Sequence, residues 1–149
     1  MTRLTDYIWI GDSADAASSD LNEPKIAVLF NCAHDLQCIR GWVHGVEYVH
    51  VGLVDGPGNS LATYTAALLR LCSVVLGKQR VLVYDHDGGS RATALVIMCM
   101  HALHRRGWVH WLEWVRSKLD QQVAPHDAHF HAFNAVNWRL VSQTLETSL

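Results

Sequence analysis

Asp85 and Arg91 are the residues whose types and spacing first suggest chemistry. They lie in VLVYDHDGGSRATALVI, residues 81–97, which has the pattern of a buried strand, a turn and a helix. Gly88 and Gly89 in the turn permit positive φ and close backbone approach. Free amides at a helix start favour an anion, and arginine adds a planar donor that matches phosphate oxygens. The turn from Asp85 to Arg91 therefore predicts a phosphate-binding loop, although an ordinary glycine-containing turn with a surface arginine has the same composition.

The elements that must position this turn follow from the hydrophobic pattern. Short apolar, β-branched runs predict strands at 7–10, 25–33, 46–53 and 80–84. Helical spacing predicts helices at 61–76 with Ser60 as N-cap, at 90–106, at 108–119, and from Pro125 to about residue 145. Strands come early, helices come late, and the two alternate in the middle. This order favours an α/β or α+β domain with a central sheet covered by helices.

The composition excludes several classes of protein. The chain has 149 residues, which favours one domain, and half of them are hydrophobic, which excludes a disordered chain. The net charge of −2 indicates no general attraction to nucleic acid or to an anionic membrane. The first residues contain no apolar run typical of a signal peptide, and no stretch is long enough to span a membrane. We therefore expect neither a nucleic-acid partner nor a membrane partner.

The four cysteines are predicted to be reduced thiols. Cys32, Cys38, Cys72 and Cys99 form no C-x-x-C pair, and Cys72 and Cys99 lie within apolar helical patterns as small core residues. With no secretion signal, these thiols favour a cytoplasmic protein.

The loop and the order of elements resemble the small cysteine-dependent dual-specificity protein phosphatases. That family's signature H-C-x-x-G-x-S-R stands here as YDHDGGSR, residues 84–91, in which Gly88, Ser90 and Arg91 match. Further segments are similar in the right order: YIWIGDSADA (7–16), IAVLFNCA (26–33), VHVGLVDGPGN (49–59) and VAPHDAHFHAF (123–133). The resemblance covers roughly residues 5–145. It implies a single 1–149 domain with a central sheet of four or five mostly parallel strands flanked by helices.

The resemblance also implies a role for each matching residue. In the family a cysteine thiolate attacks phosphorus, the arginine and loop amides hold the phosphoryl oxygens, and an aspartate protonates the leaving alcohol. Asp85 then stands at the nucleophile position and Asp55 at the general-acid position. Arg91 is the donor to the phosphoryl oxygens, and Ser90 supports the loop. The implied phosphate-binding set is His86, Asp87, Gly88, Gly89, Ser90 and Arg91, with no metal and no cofactor.

The departures around Asp85 predict an impaired enzyme. A carboxylate keeps the negative charge of a thiolate but is a weak nucleophile here, and its oxygens are natural partners for Arg91 and the loop amides. Such a loop would partly fill its own anion site. Tyr84 replaces a histidine, and Ala92 lacks a hydroxyl that Thr93 could supply. We therefore expect a pseudophosphatase whose ligand is a phosphoprotein or a phosphate monoester. An engineered Cys→Asp change would also explain Asp85, but not Tyr84.

An aspartate enzyme is the first alternative. VLVYDHDGG also resembles the h-h-h-h-D-x-D-G motif of haloacid-dehalogenase-type phosphatases, in which the first aspartate is a nucleophile and Mg²⁺ is bound. That motif normally opens its fold and needs a later lysine and a further acidic pair. After the motif this chain offers Lys118 but no G-D-x-x-x-D.

Two further alternatives concern metal binding and protein binding. His126, His129 and His131 cluster, but no second half-site accompanies them, so we expect solvated residues at a helix start. Trp108 and its neighbours at every third position lie on one side of a helix. They are either core residues or, with Trp42 and Trp138, part of a partner surface of a non-catalytic interaction module.

Overall fold

The computed structural model describes residues 1–37 and 45–147, so the expectations for Cys38 and Trp42 lie outside the described residues. The centre of the described part is a five-stranded sheet. Its strands are β1 (Thr2–Arg3), β2 (Ile8–Gly11), β3 (Val28–Ala33), β4 (Glu47–Leu53) and β5 (Val81–Tyr84), in the spatial order β1-β2-β5-β3-β4. β1 pairs antiparallel with β2, and the other pairs are parallel. The sheet is therefore mixed, with a parallel body and one antiparallel edge strand.

Helices cover both faces of the sheet unequally. They are α1 (Ser13–Ala16), α2 (Leu61–Leu76), α3 (Arg91–His104), α4 (Trp108–Leu119), α5 (Asp127–Ala135) and α6 (Trp138–Thr147), with a 3₁₀ turn at Ser19–Asn22. The bounds predicted for α2 and α4 are confirmed. Ser60 caps α2 as predicted, because its hydroxyl accepts a hydrogen bond from the Thr63 amide at 3.1 Å.

Alternation along the buried strands divides the core between the two faces. Ile8 and Ile10 pack into the large cluster formed with the helices α2 to α6, whereas Trp9 between them packs into a smaller cluster. β5 follows the same rule: Val81 and Val83 belong to the large cluster, and Leu82 and Tyr84 to the small one. Because both faces are buried, these strands are almost wholly apolar, and this is why they could be recognised from sequence.

The structure differs from the predicted elements in two places. The strand β1 was not predicted, because it has only two residues. It can be recognised only from its pairing with β2 in the structure. The single helix expected from Pro125 to about residue 145 is two helices, α5 and α6. Val136 adopts an extended conformation between them, and the side chain of Asn137 accepts a hydrogen bond from the Leu140 amide at 3.0 Å. A cap of this kind starts a new helix rather than continuing the old one.

The buried tryptophans and cysteines belong to the core. Trp108 and Trp111 are buried, and Trp114 packs against the same cluster, so the core interpretation of this stripe is confirmed. The three described cysteines, Cys32, Cys72 and Cys99, are free and fully buried. Within residues 1–37 and 45–147, no helix is both long and apolar enough to cross a membrane.

Parallel strands bring three loops to one edge of the sheet. β3, β4 and β5 run in the same direction, so the segments that follow Ala33, Leu53 and Tyr84 all leave the sheet at the same edge. Loops at the carboxyl ends of parallel strands commonly carry the functional side chains of α/β proteins. The segments after these three strands contain Asp35, Asp55 and Asp85, respectively.

Gly88 is required by this arrangement, and its replacement is expected to destabilise the protein. Its φ is +80°, and a Cβ there would lie 2.9 Å from the backbone oxygen of Gly11. Gly88→Ala is therefore expected to lower the free energy of unfolding by about 1–3 kcal/mol, measured by urea denaturation. Gly89→Ala is the matched control, since its Cβ would meet only the Asp87 side chain, at 3.3 Å. Equal losses in the two variants would contradict the explanation.

Candidate functional site

The carboxylate of Asp85 lies inside the loop that connects β5 to α3. The residue is 1% exposed. Its Oδ1 accepts hydrogen bonds from the amide of Asp87, at 3.1 Å, and from the amide of Gly88. Its Oδ2 accepts from the amide of Ala92 at 2.9 Å. Three backbone donors of the turn thus converge on one carboxylate that belongs to the chain itself.

The guanidinium of Arg91 does not join Asp85, which corrects one expectation. Its Nη1 donates to Asp35 Oδ1 at 2.9 Å and to the carbonyl oxygen of Leu53 at 3.1 Å. Its Nε is buried and has no hydrogen-bond partner among the described residues. The prediction that the loop amides bind Asp85 is confirmed, and the prediction that Arg91 does so is wrong. The amides lie within the same turn, whereas the arginine side chain reaches across to the neighbouring loops.

Asp35 is a site residue that was not predicted from the sequence. Besides Arg91 it contacts His86, whose Nε2 lies 3.2 Å from Oδ2. The hydrogen bond from Arg91 lowers the pKa of Asp35 to about 2, and the bond from His86 acts in the same direction. Asp35 therefore stays ionised in neutral and mildly acidic solution. No local motif marks it, since its partners are supplied by a different strand end.

Asp55 and Ser90, two of the predicted site residues, are in direct contact. Ser90 Oγ donates to Asp55 Oδ1 at 2.5 Å and accepts from the His126 amide at 3.0 Å. His129 Nε2 lies 3.0 Å from the same Oδ1. The side chain of Asp55 is nevertheless 42% exposed, so its other face reaches solvent.

The environment lowers the pKa of Asp55. Burial alone would raise it, but the hydrogen bonds from Ser90 and His129 and the nearby charge of Arg91 outweigh that effect. The ionised form is therefore favoured at neutral pH. A general acid must carry a proton, so this arrangement opposes the role that Asp55 would have in the cysteine enzymes.

The expectation of solvated histidines at the start of α5 is wrong for His129. This residue is fully buried, and its Nδ1 lies 2.6 Å from the hydroxyl of Tyr64 on α2. Both ring nitrogens are therefore engaged, with Tyr64 and Asp55. Among the residues that the structure describes, no group of three or more His, Cys, Asp or Glu side chains is arranged to hold a metal ion. His126 caps α5 instead, accepting from the Ala128 amide at 3.0 Å.

Thr93 supports the loop. Its hydroxyl donates to the carbonyl oxygen of Gly88 at 2.7 Å, in a fully buried position. The expectation that it substitutes for a hydroxyl at Ala92 next to the nucleophile is therefore wrong, because its proton is used to hold the turn. The loop is thus fixed from inside by Asp85 and from α3 by Thr93.

An open cleft of ≈ 500 Å³ lies beside the loop. Asp55, Asp87 and Ser90 line one part of it, and Gln121 and His126 line another. None of the lining residues is a lysine or an arginine. The acidic side chains that line this cleft are those of Asp55 and Asp87.

No protein-family model and no curated protein matches the sequence. Solved structures do match it in fold. The structure of DUSP15 superimposes with a TM-score of 0.87 at 18% identity, covering 100% of this chain and 96% of that one. Human DUSP28 gives 0.77 at 17% identity, covering 100% of both chains. The human tyrosine phosphatase-like serine/threonine/tyrosine-interacting protein gives 0.77 at 16% identity, covering 91% of this chain and 93% of that one. The chain therefore has the dual-specificity phosphatase fold, and the predicted fold class is confirmed.

Proposed function

We propose that this chain is a dual-specificity phosphatase-like protein that does not hydrolyse phosphate monoesters. The observation that carries the proposal is the buried carboxylate of Asp85, which accepts hydrogen bonds from the amides of Asp87, Gly88 and Ala92. In this proposal Asp85 stands where the active enzymes of this fold have their cysteine. The parent reaction is hydrolysis of phosphotyrosine, phosphoserine, phosphothreonine or a related monoester.

Two consequences of the Asp85 arrangement support the absence of turnover. Both carboxylate oxygens already accept hydrogen bonds, which lowers their nucleophilicity, and burial leaves no approach for a phosphorus atom. The same amides would have to hold the phosphoryl oxygens in the transition state. A phosphate ester would therefore compete with the protein's own carboxylate, and it would be repelled by the charge of that carboxylate.

Binding of a phosphorylated partner without turnover is the second candidate. The specific observation in its favour is Arg91, whose side chain is 8% exposed and whose Nε lacks a partner among the described residues. Asp35 and Leu53 use only Nη1, so the buried Nε is the donor that an oxyanion entering the loop would use in this proposal. The proposed contacts of such a ligand are Arg91, Ser90 and the turn from His86 to Gly89. One protein of this fold is itself named as tyrosine phosphatase-like and serine/threonine/tyrosine-interacting.

The aspartyl-phosphate alternative receives less support from the same geometry. It needs Asp85 open to the substrate and a Mg²⁺ ion beside it. Here the carboxylate is buried against amides, and Asp87 uses Oδ1 to accept from the Gly89 amide at 2.8 Å.

The three free thiols are consistent with the expected reducing, cytoplasmic compartment.

The test is a hydrolysis assay of the native chain on p-nitrophenyl phosphate, with millimolar Mg²⁺ and with EDTA. We expect no turnover above the buffer rate in either condition. Turnover that is insensitive to EDTA and abolished in Arg91→Lys would overturn the proposal. Turnover that requires Mg²⁺ would overturn it in favour of the aspartyl-phosphate reaction.

The binding candidate is tested by calorimetric titration with a phosphotyrosine peptide and its unphosphorylated form. Phosphate-dependent binding that is lost in Arg91→Lys would support it, since lysine keeps the charge but loses the planar edge. Equal affinity for both peptides would exclude it and would leave a phosphate-independent scaffold.

A further inference from the structure

We infer that His129 is a positioning residue that stabilises the ionised form of Asp55 and so opposes the protonation that a general acid would need. The inference rests on the proposed function and extends it. In the proposed function Asp85 takes the place of the nucleophile, and His129 acts independently on the residue at the general-acid position. Nothing in the motif that contains Asp85 requires the second block, because His129 lies on α5, far away in sequence.

The geometry is a chain of hydrogen bonds that ends on one oxygen. The amide nitrogen Nδ2 of Asn59 donates to the Tyr64 hydroxyl at 3.2 Å, and that hydroxyl lies 2.6 Å from His129 Nδ1. His129 Nε2 lies 3.0 Å from Asp55 Oδ1. From the opposite side Ser90 Oγ lies 2.5 Å from the same oxygen.

The direction of each hydrogen bond follows from its neighbours. Because the Tyr64 hydroxyl accepts from Asn59, its own proton is free to point at His129 Nδ1. If Nδ1 carried the proton instead, the Tyr64 hydroxyl proton would be left without an acceptor in a buried site, at a cost in free energy. Nδ1 is therefore the acceptor, the imidazole proton is on Nε2, and Nε2–H donates to Asp55.

By the same argument, Ser90 donates the second hydrogen bond to Asp55. Its oxygen accepts from the His126 amide at 3.0 Å, which leaves its hydroxyl proton to donate to Asp55 Oδ1. Hydrogen bonds donated to a carboxyl oxygen are stronger when the carboxyl group is ionised, so the two donors on Oδ1 favour the carboxylate form. Both sides of the network therefore stabilise ionised Asp55.

The groups around Asp55 and His129 also change the pKa values of these two residues. Burial lowers the pKa of His129, and the charges of His126 and Arg91 lower it further, while Asp55 opposes them. The charge of Arg91 also favours the ionised form of Asp55, and burial raises the pKa of Tyr64, which stays a donor. Asp87 is a further acidic residue that lines the same cleft as Asp55. At neutral pH the network thus contains a neutral imidazole, a phenol and a carboxylate.

The first test is nitrogen-15 NMR of the histidine rings in the native chain. The inference requires Nε2 of His129 to be protonated and Nδ1 to accept a hydrogen bond at neutral pH. A spectrum in which Nε2 is unprotonated would overturn it, since Asp55 would then have to carry the shared proton. This measurement needs no variant and no turnover, so it stands or fails independently of the proposed function.

The second test is a carbon-13 carboxyl titration of Asp55 in the native chain and in His129→Phe. Phenylalanine fills a similar volume but donates no hydrogen bond, so the pKa of Asp55 is expected to move upward. His131→Phe is the matched control, because His131 lies on the same helix but is exposed. An unchanged Asp55 titration in His129→Phe, or an equal change in both variants, would overturn the inference.

Discussion

Replacing Asp85 with cysteine is expected to turn the chain into an aryl phosphatase at least ~100-fold more active than the native protein. The thiolate would take the place of a carboxylate that now accepts hydrogen bonds from the amides of Asp87, Gly88 and Ala92. Those amides and the start of α3 would lower the pKa of the thiol and then hold the phosphoryl oxygens. The measurement is kcat/KM on p-nitrophenyl phosphate at neutral pH.

The leaving group should matter in this variant. p-Nitrophenolate leaves without a proton, whereas the alcohol of phosphoserine needs one. Since Asp55 is held in its ionised form by Ser90 and His129, the gain in Asp85→Cys is expected on the aryl ester and far less on the alkyl ester. Asp85→Ser is the matched control, because it offers an oxygen of similar size that stays protonated. Equal rates in the cysteine and serine variants would contradict the prediction.

Replacing Asp85 with alanine is expected to destabilise the protein and to let an added oxyanion bind where the carboxylate was. Asp85→Ala leaves three buried amide donors without their acceptor, and we expect a loss of roughly 3 kcal/mol in the free energy of unfolding. An oxyanion such as tungstate should then occupy the vacated site beside Arg91. It should raise the Tm of the variant in a concentration-dependent manner, because it binds the folded state alone. The native protein should show no such rise.

Asp87→Ala is the control for this experiment. Asp87 belongs to the same loop but is exposed, and its side chain accepts from the Gly89 amide only. We expect a small loss of stability and no stabilisation by tungstate. A Tm of the native protein that rises with tungstate as much as that of Asp85→Ala would show that Asp85 does not fill the anion site.

Much of the fold could be predicted because its elements have local signals. The apolar runs of β3 and β5 and the helical spacing of α2 and α4 are visible in short windows of sequence. The two-residue strand β1 and the break at Val136 carry no such signal. Each depends on a neighbour, β2 for pairing and Asn137 for the new cap.

The candidate site was predictable only as far as its own loop. Asp85 lies within seven residues of the amides it binds, so its hydrogen bonds to them could be inferred from the short-range sequence. The partner of Arg91 could not, because Asp35 is 56 residues away in sequence. His129 reaches Asp55 across 74 residues and Tyr64 across 65.

By itself, the sequence determined the order of the main strands and helices and the turn from Asp85 to Arg91. These depend on residue type and short-range spacing, which survive without tertiary contacts. Only the tertiary structure decided that Asp35 accepts a hydrogen bond from Arg91. It also decided that His129 and Ser90 both hydrogen-bond to Asp55. The physical reason is that side-chain partners and protonation states depend on which groups parallel strands and packed helices bring within about 3 Å of one another.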